Sequence, residues 1–251
     1  MTPSSLFIQV DGQTLDARIV SPSTRLPAVL LVHGWDSDQH HYEDRARQVA
    51  ELGCVCMTID LRGHGRLAAQ HHQVTPADNL RDVLAAYDTL AARPEVDPAS
   101  ICLVGTSYGG YLAVLATSQR PVRWLALRVP ALYQDQHQHV AKAKIDRAAL
   151  QHFRETVAPD TPNRALQACA AYRGDVLLVA SACDQTLPPA NIAAYRGALS
   201  HSESLTYRRI SEADHALSDT RSQQAYDAIF SAWITEMILG GRRGDDEVSG
   251  S

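Results

Sequence analysis

The sequence predicts an α/β fold, with a mostly parallel central sheet of about eight strands and helices on both of its faces. From residue 28 onward, apolar runs of strand length alternate with longer segments of helical period, which is the pattern of strands joined by helical crossovers. Before them, two strand-like runs at 6–10 and 14–20 flank Asp11-Gly12, a pair typical of a tight hairpin turn. We therefore expect an antiparallel hairpin at the edge of the sheet.

The remaining elements follow from the same periodicities. Strands are predicted at 28–33, 55–59, 101–105, 124–129, 176–181 and 204–210, and helices at 42–52, 76–92, 109–118, 189–199 and 222–239. One domain is expected over residues 1–239. Segment 131–173 interrupts the alternation and is interpreted as a small lid of short helices. Residues 240–251 carry too little apolar surface to offset ordering, so a disordered tail is predicted there.

The composition is that of a soluble globular protein. Of 251 residues, 45% are hydrophobic and 20% are charged, as in packed domains of enzyme size. The net charge of −5 predicts no basic surface for a nucleic acid. No apolar run approaches the roughly 18 residues that a membrane span needs, and residues 1–9 lack a signal sequence. We therefore expect a cytoplasmic protein that binds neither nucleic acid nor membrane.

The cysteines are odd in number and lack CxxC spacing, so they are interpreted as reduced and mostly buried thiols. They are Cys54, Cys56, Cys102, Cys169 and Cys183.

The strongest local signal is Gly105-Thr106-Ser107-Tyr108-Gly109, which follows a predicted strand and precedes a predicted helix. In this context GxSxG is the pattern of a nucleophile elbow, because the two glycines let the chain reverse sharply without side-chain collisions. The serine then projects at the C-terminal edge of the sheet, where the helix N-terminus favours negative charge. Ser107 is therefore the candidate nucleophile.

A serine nucleophile needs a base, and the base needs an acid that orients it. His215 follows the last predicted strand and Asp184 follows the preceding one, so both open on the same rim as Ser107. These two residues are the candidate base and acid. Glu212 and Asp214 are alternative acids, although a residue so close to the base in sequence rarely reaches its Nδ1 atom.

Two backbone N–H groups are candidates for binding the oxyanion of an acyl-transfer intermediate. One belongs to Tyr108, directly after the nucleophile, and the other to Trp35, where His33-Gly34-Trp35 ends a predicted strand. Other histidines lie in polar segments without zinc spacing, so they are interpreted as solvated loop residues and no metal site is predicted. They include His40, His41, His71, His72, His137 and His139.

The chain resembles the α/β-hydrolase superfamily over about residues 6–239. Four stretches carry the resemblance: His33-Gly34-Trp35, Asp60-Leu61-Arg62-Gly63-His64-Gly65, the elbow at Ser107, and the loops of Asp184 and His215. The order Ser, Asp, His along the chain is that of this superfamily. The elbow is similar to those of its prolyl-oligopeptidase-like and dienelactone-hydrolase-like branches and of small bacterial esterases, although the dienelactone branch proper uses cysteine as nucleophile.

The resemblance also implies roles for residues outside the elbow. Stretch 60–65 would be a structural turn after a strand, which assigns Asp60, Arg62 and His64 to the scaffold. The usual pattern continues with serine, where this chain has Arg66. Prolyl oligopeptidases carry a propeller domain, whereas only about 26 residues precede the central strand here. This difference weakens a peptidase interpretation.

Together these observations predict a serine hydrolase that cleaves small to medium carboxylic esters through an acyl-enzyme, without a metal or organic cofactor. Trp35 and Tyr133 are expected to contact the small-molecule ester. Two alternatives stay open: a serine peptidase or amidase acting on short peptides, and a non-catalytic protein that binds a small ligand. Monomer and homodimer also stay open.

Overall fold

Eight strands form one sheet, as the alternation of apolar runs predicts. The structure is a computed structural model that describes residues 4–20 and 26–248. The strands are β1 Ser4–Val10, β2 Gln13–Val20, β3 Leu26–Val32, β4 Val55–Ile59, β5 Val96–Thr106, β6 Trp124–Arg128, β7 Asp175–Ser181 and β8 Ser204–Ile210. Their order across the sheet is β1-β2-β4-β3-β5-β6-β7-β8. The β1–β2 and β2–β4 pairs are antiparallel and all the others are parallel.

Helices cover both faces of this sheet. They are α1 Glu43–Glu51, α2 Pro76–Ala91, α3 Tyr108–Thr117, α4 Arg147–Thr156, α5 Arg164–Ala171, α6 Pro189–Ala198 and α7 Thr220–Val248. Because side chains alternate along a strand, Leu30 and Val32 face α2, α3, α5 and α6, whereas Val29 and Leu31 face α1 and α7. Both faces of the inner parallel strands are therefore buried, which explains why these strands are mostly apolar. The edge strand β8 is partly exposed and carries Arg208 and Arg209. Among the described residues, no helix is long and apolar enough to cross a membrane.

The hairpin turn at Asp11-Gly12 and the start of α2 at Thr75-Pro76 form at the positions where the sequence predicts them. Asp11 and Gly12 have φ of 49° and 71°, the conformation of the two-residue hairpin turn that joins β1 to β2. Thr75 caps α2 by accepting a hydrogen bond from the backbone N–H of Asp78, whose carboxylate accepts one from the Thr75 backbone N–H. Pro76 follows at the first helical position, where it costs no hydrogen bond.

Two elements extend beyond their predicted bounds. β5 begins at Val96, which pairs with Leu26, and the register with β3 then shifts, because β5 has the extra residues 97–100 opposite the step from Leu26 to Ala28. Helix α7 continues to Val248, into a segment for which the sequence predicts disorder. Extending an existing helix adds one hydrogen bond per residue without a new nucleation cost. The composition of the added segment alone does not show this gain. Residues 249–251, also predicted to be disordered, lie outside the described residues.

Segment 131–173 contains the short helices that the sequence predicts, and part of it is buried. Two 3-10 helices, Asp135–His139 and Lys142–Lys144, precede α4 and α5. Leu166 and Cys169 of α5 are buried in the same apolar cluster as α3 and α6. The second half of the segment is therefore part of the hydrophobic core. Among the described cysteines, Cys183 is exposed and the other four are buried.

A buried ion pair joins the loop after β4 to α2. The carboxylate of Asp82 is fully buried and accepts hydrogen bonds from Arg62 Nε at 2.6 Å and from the Arg62 backbone N–H at 2.8 Å. Arg62 also donates to the carbonyl of Asp78 at 2.6 Å. Arg62 therefore ties the turn at 60–65 to the neighbouring helix, as the resemblance implies for a scaffold residue.

We expect Asp82→Asn to lower the free energy of unfolding by about 3 kcal/mol, because it removes the fully buried carboxylate that pairs with the Arg62 guanidinium and leaves only more exposed carboxylates within ion-pair distance. Asp88 forms an exposed pair with Arg120 and provides the matched control. Asp88→Asn should cost less than about 1 kcal/mol. Urea unfolding of the three proteins measures both effects, and equal losses in the two variants would contradict the role given to Asp82.

Candidate active site

Ser107 lies at a reversal of the chain between β5 and α3. Its backbone has φ 52° and ψ −113°, a conformation that is strained for an L-residue. Three backbone hydrogen bonds hold it there: Ser107 N–H donates to the Arg128 carbonyl at 2.9 Å, and its own carbonyl accepts from Tyr111 and Ala131. A side chain at Gly105 would collide with α3, and one at Gly109 would collide with the end of β3. The reversal therefore requires these two glycines.

The structure brings Ser107, His215 and Asp184 together in one hydrogen-bonded chain. The distance from His215 Nε2 to Ser107 Oγ is 2.9 Å, and the distance from His215 Nδ1 to Asp184 Oδ2 is 2.8 Å. In this arrangement Nδ1 carries a proton and donates a hydrogen bond to the carboxylate, which leaves the unprotonated Nε2 to accept the serine proton. The His215 side chain is 22% exposed and that of Asp184 is 7% exposed, so a substrate can approach the serine and histidine while the acid stays covered.

Asp184 is held as a carboxylate by its neighbours. Burial by itself raises its pKa, but the hydrogen bond and charge of His215, with the backbone N–H groups of Thr186 and Leu187, hold the pKa below its usual value. Those two N–H groups donate to Oδ1 at 2.8 and 2.9 Å, which leaves Oδ2 for the histidine. The negative charge and the orientation of this oxygen are thus both determined by the loop after β7.

The two alternative acids do not contact the ring of His215. Asp214 accepts a hydrogen bond from the backbone N–H of Ser218 at 2.9 Å and so closes its own loop. Glu212 lies 3.6 Å from Arg221 in an exposed ion pair. Asp214 is therefore engaged within the loop that carries the histidine, and Glu212 pairs with the start of α7.

Arg128, at the end of β6, is a site residue that the sequence analysis missed. Its guanidinium is buried and donates to the backbone carbonyl of His215 at 2.8 Å, while its own carbonyl accepts from Ser107 N–H. One residue thus connects the backbones of the candidate nucleophile and base. An arginine that ends an otherwise apolar strand, between the strands that carry Ser107 and Asp184, is the sequence signal that could have revealed it.

Neutral histidines shape the loop that carries Trp35. His33 is fully buried: its Nδ1 donates to the Gly34 carbonyl at 2.7 Å and its Nε2 accepts from Leu61 N–H at 3.1 Å. Burial lowers the pKa of His33 to about 3, with repulsion from His64 adding to the effect. His64 Nε2 lies at hydrogen-bond distance from the Trp35 carbonyl. These contacts link the loop after β3 to the turn after β4.

The candidate oxyanion donors lie next to the serine. A methyl group at Gly34 would lie 3.5 Å from Ser107 Cβ, which places the start of the Trp35 loop against the nucleophile. The rings of Trp35 and Tyr108 meet edge to face, with their centres 5.4 Å apart. The structure therefore brings the loop of Trp35 beside Ser107, which Tyr108 follows directly in the chain.

The remaining predicted residues have mixed outcomes. Tyr133 is 3% exposed and its ring packs edge to face against that of Tyr108, so little of its surface is open to the substrate contact that the sequence predicts. His137 was interpreted as a solvated loop residue, but it is buried. Asp60 accepts two hydrogen bonds from Gln39 at 2.9 Å and has the scaffold position that the resemblance implies.

Comparison with known sequences identifies the family. Residues 40–240 match the sequence model of the prolyl oligopeptidase family. The chain belongs to this family. The matched residues include Ser107, Asp184 and His215, whereas Trp35 precedes the part shared with the prolyl oligopeptidase family model.

Individual proteins share less than 30% of their residues with this chain over the aligned parts. An uncharacterised protein of Mycobacterium tuberculosis is 28% identical over 164 residues, which cover 64% of this chain and 54% of that protein. Human monoglyceride lipase is 29% identical over 117 residues, covering 46% of this chain and 38% of the lipase. The chain spans about half the length or less of these curated relatives. Dienelactone hydrolase from Anabaena variabilis has 20% identity and a TM-score of 0.68, with 94% of this chain and 97% of that chain covered. This likeness shows that this member of the prolyl oligopeptidase family has the α/β-hydrolase fold.

The buried His33 makes stability depend on pH. Below pH 6.5 the unfolded chain binds a proton at this histidine that the folded protein does not bind until about pH 3, so stability is lost as the pH falls through this window. His33→Asn keeps a donor for the Gly34 carbonyl but has no group that titrates here. Between pH 7 and pH 5, we expect the free energy of unfolding to fall by about 2 kcal/mol less in this variant than in the parent. Urea unfolding at the two pH values measures this difference, and parallel losses would contradict the prediction.

Proposed function

We propose that this protein is a serine hydrolase that cleaves small to medium carboxylic esters through an acyl-enzyme. The observation that carries the proposal is the hydrogen-bonded chain from Ser107 Oγ through His215 to the Asp184 carboxylate. A serine hydroxyl is a weak nucleophile until a base accepts its proton, and this arrangement supplies both the base and the group that orients it.

In the first step, His215 Nε2 accepts the proton of Ser107 as Oγ attacks the ester carbonyl carbon. The carbonyl oxygen becomes an oxyanion, for which the backbone N–H groups of Tyr108 and Trp35 are the proposed donors. The positive charge on His215 is stabilised by Asp184. When the intermediate collapses, Nε2 returns the proton to the alcohol oxygen, the ester C–O bond breaks, and the acyl group remains on Ser107.

In the second step, water replaces the alcohol. His215 Nε2 accepts a proton from the water as its oxygen attacks the acyl carbon, and the same two N–H groups meet the second oxyanion. Collapse breaks the bond to Ser107 Oγ, which regains its proton from His215. The products are one carboxylic acid and one alcohol, and every proton moves between substrate, water and these side chains.

Carboxylic esters are favoured as substrates by the likeness to monoglyceride lipase. A serine peptidase acting on short peptides is the second candidate, favoured by membership of the prolyl oligopeptidase family. The same residues can protonate a leaving amine, so the triad does not discriminate between the two. p-Nitrophenyl esters of graded acyl length, compared with aminoacyl-p-nitroanilides, separate the two candidates by their kcat/KM values.

Ser107→Ala tests the nucleophile. We expect this variant to lose covalent labelling by a fluorophosphonate probe and to lose at least about 10³-fold in kcat, because no acyl-enzyme can form. An unchanged unfolding curve serves as the control for the fold. Ester hydrolysis within tenfold of the parent would show that another residue is the nucleophile.

Asp184→Asn tests the acid. An amide at this position can hold the wrong tautomer of His215, so kcat should fall by about 10³ to 10⁴. Asp214→Asn is the matched control, because Asp214 lies in the histidine loop and bonds to Ser218 instead. We expect this control to retain most of its activity. A larger loss in the Asp214 variant would reverse the assignment.

A further inference from the structure

Lys142 lies against the aromatic wall of the candidate site. Its Nζ atom is 4.5 Å from the centre of the Trp35 ring, 5.5 Å from that of Tyr133 and 5.6 Å from that of Tyr108. Its backbone N–H donates to the Val74 carbonyl at 2.8 Å, which fixes the short helix Lys142–Lys144 over the segment before α2. The ammonium group is thus one side chain away from both proposed oxyanion donors.

The charges around Lys142 are unbalanced. In the described part of the chain, neither Lys142 nor the neighbouring Arg154 forms an ion pair with a carboxylate. Arg154 is buried and directs its Nε to the Leu132 carbonyl at 2.9 Å, with its guanidinium over the Tyr133 ring. The Nε donor of this guanidinium is therefore already bonded to the protein. The Lys142 ammonium, in contrast, faces three aromatic rings.

This environment disfavours the charged form of Lys142. Burial lowers its pKa to about 8, helped by repulsion from Arg154 and Arg147, while Asp36 attracts it from beyond ion-pair distance. Contacts with aromatic rings offset only part of the cost of removing an ammonium from water. An anion bound beside Nζ would compensate the rest of this cost. The environment of Lys142 therefore favours a negatively charged ligand.

The order of the strands determines which part of an ester would reach Lys142. Trp35 follows β3, Ser107 follows β5 and His215 follows β8, so in the order of the strands the serine lies between the loop of Trp35 and the loop of His215. The leaving alcohol must lie near His215 Nε2 to receive its proton. The acyl part can then extend to the opposite side, towards Trp35 and Lys142.

We propose that Lys142 binds a carboxylate at the far end of the acyl group, so that the preferred substrates are monoesters of small dicarboxylic acids. This inference rests on the proposed ester hydrolysis and specifies its substrate class. The ammonium carries a single positive charge, which matches the single charge of a carboxylate better than a phosphate dianion. The carboxylate takes no part in the chemistry: it orients the acyl group beside the oxyanion donors.

The test compares two esters of equal length that differ at the far end. Monoethyl glutarate ends in a carboxylate and ethyl pentanoate ends in a methyl group, and monoethyl succinate and adipate vary the reach. We expect the parent to prefer the best monoester over its uncharged partner by at least about tenfold in kcat/KM at pH 7, a typical effect of one hydrogen bond to a charged group. Lys142→Met should remove this preference. Lys144→Met, on the same short helix but exposed, should leave it unchanged.

The preference should also depend on pH. Lys142 is charged below its pKa of about 8 and loses its charge above it, whereas the glutarate carboxylate is ionised throughout, so the preference should fall between pH 7 and pH 9. Groups that face Lys142 or its aromatic wall are Arg147 and Arg154 of α4, Asp36 of the loop after β3, His71, and the phenols of Tyr108 and Tyr133. Lys142→Met is therefore measured over the same range, and a fall of equal size in that variant would assign the pH effect to another group.

Binding separates this inference from the proposed function. Calorimetry of monoethyl glutarate with Ser107→Ala, with and without Lys142→Met, measures the carboxylate contact without turnover. Binding that depends on Lys142, in a protein whose parent form hydrolyses no ester, would support the carboxylate site and overturn the proposed hydrolysis. Equal hydrolysis of charged and uncharged esters, with binding that does not depend on Lys142, would overturn the carboxylate site and leave the hydrolysis standing.

Discussion

The geometry of the site depends on the reversal of the chain at Ser107. Its positive φ turns the side chain out of the sheet where β5 ends and α3 begins, and this conformation costs free energy that the surroundings must supply. They do so through the glycines at 105 and 109, which allow β5, α3 and β3 to approach closely, and through hydrogen bonds to Arg128 and Ala131. Ser107 can therefore occupy one position relative to its neighbours.

The other site residues are placed by loops that start from the same rim and are tied to one another. Arg128 joins the elbow to the histidine loop, and two backbone N–H groups orient the Asp184 carboxylate. On the opposite side, His33 and His64 hold the Trp35 loop as uncharged hydrogen-bonding groups, because burial lowers the pKa of both. The polar groups that support the site are thus buried and paired, which keeps them in place without direct contact with a substrate.

Charge is distributed unevenly around the nucleophile. The Asp184 carboxylate lies beside His215, where the proposed mechanism develops positive charge, whereas Lys142 lies over the Trp35 ring and Arg154 over the Tyr133 ring. The proposed substrate, an ester with a carboxylate on its acyl part, fits this distribution, since its carboxylate would meet Lys142 and its leaving alcohol would meet the proton donor His215. The insertion between β6 and β7 supplies both cations, and it is the part of the fold that differs most from a plain alternation of strands and helices.

The sequence by itself determined the order of the strands and helices, the elbow, and the candidate residues Ser107, Asp184 and His215. These are local patterns, since periodicity, glycine spacing and position at the end of a strand are all readable within a short window. Only the tertiary structure decided that Tyr133 and His137 are buried, that Arg128 bridges two loops, and that Lys142 faces Trp35. Burial and unpaired charge depend on residues far apart in the chain, so local pattern carries little information about them.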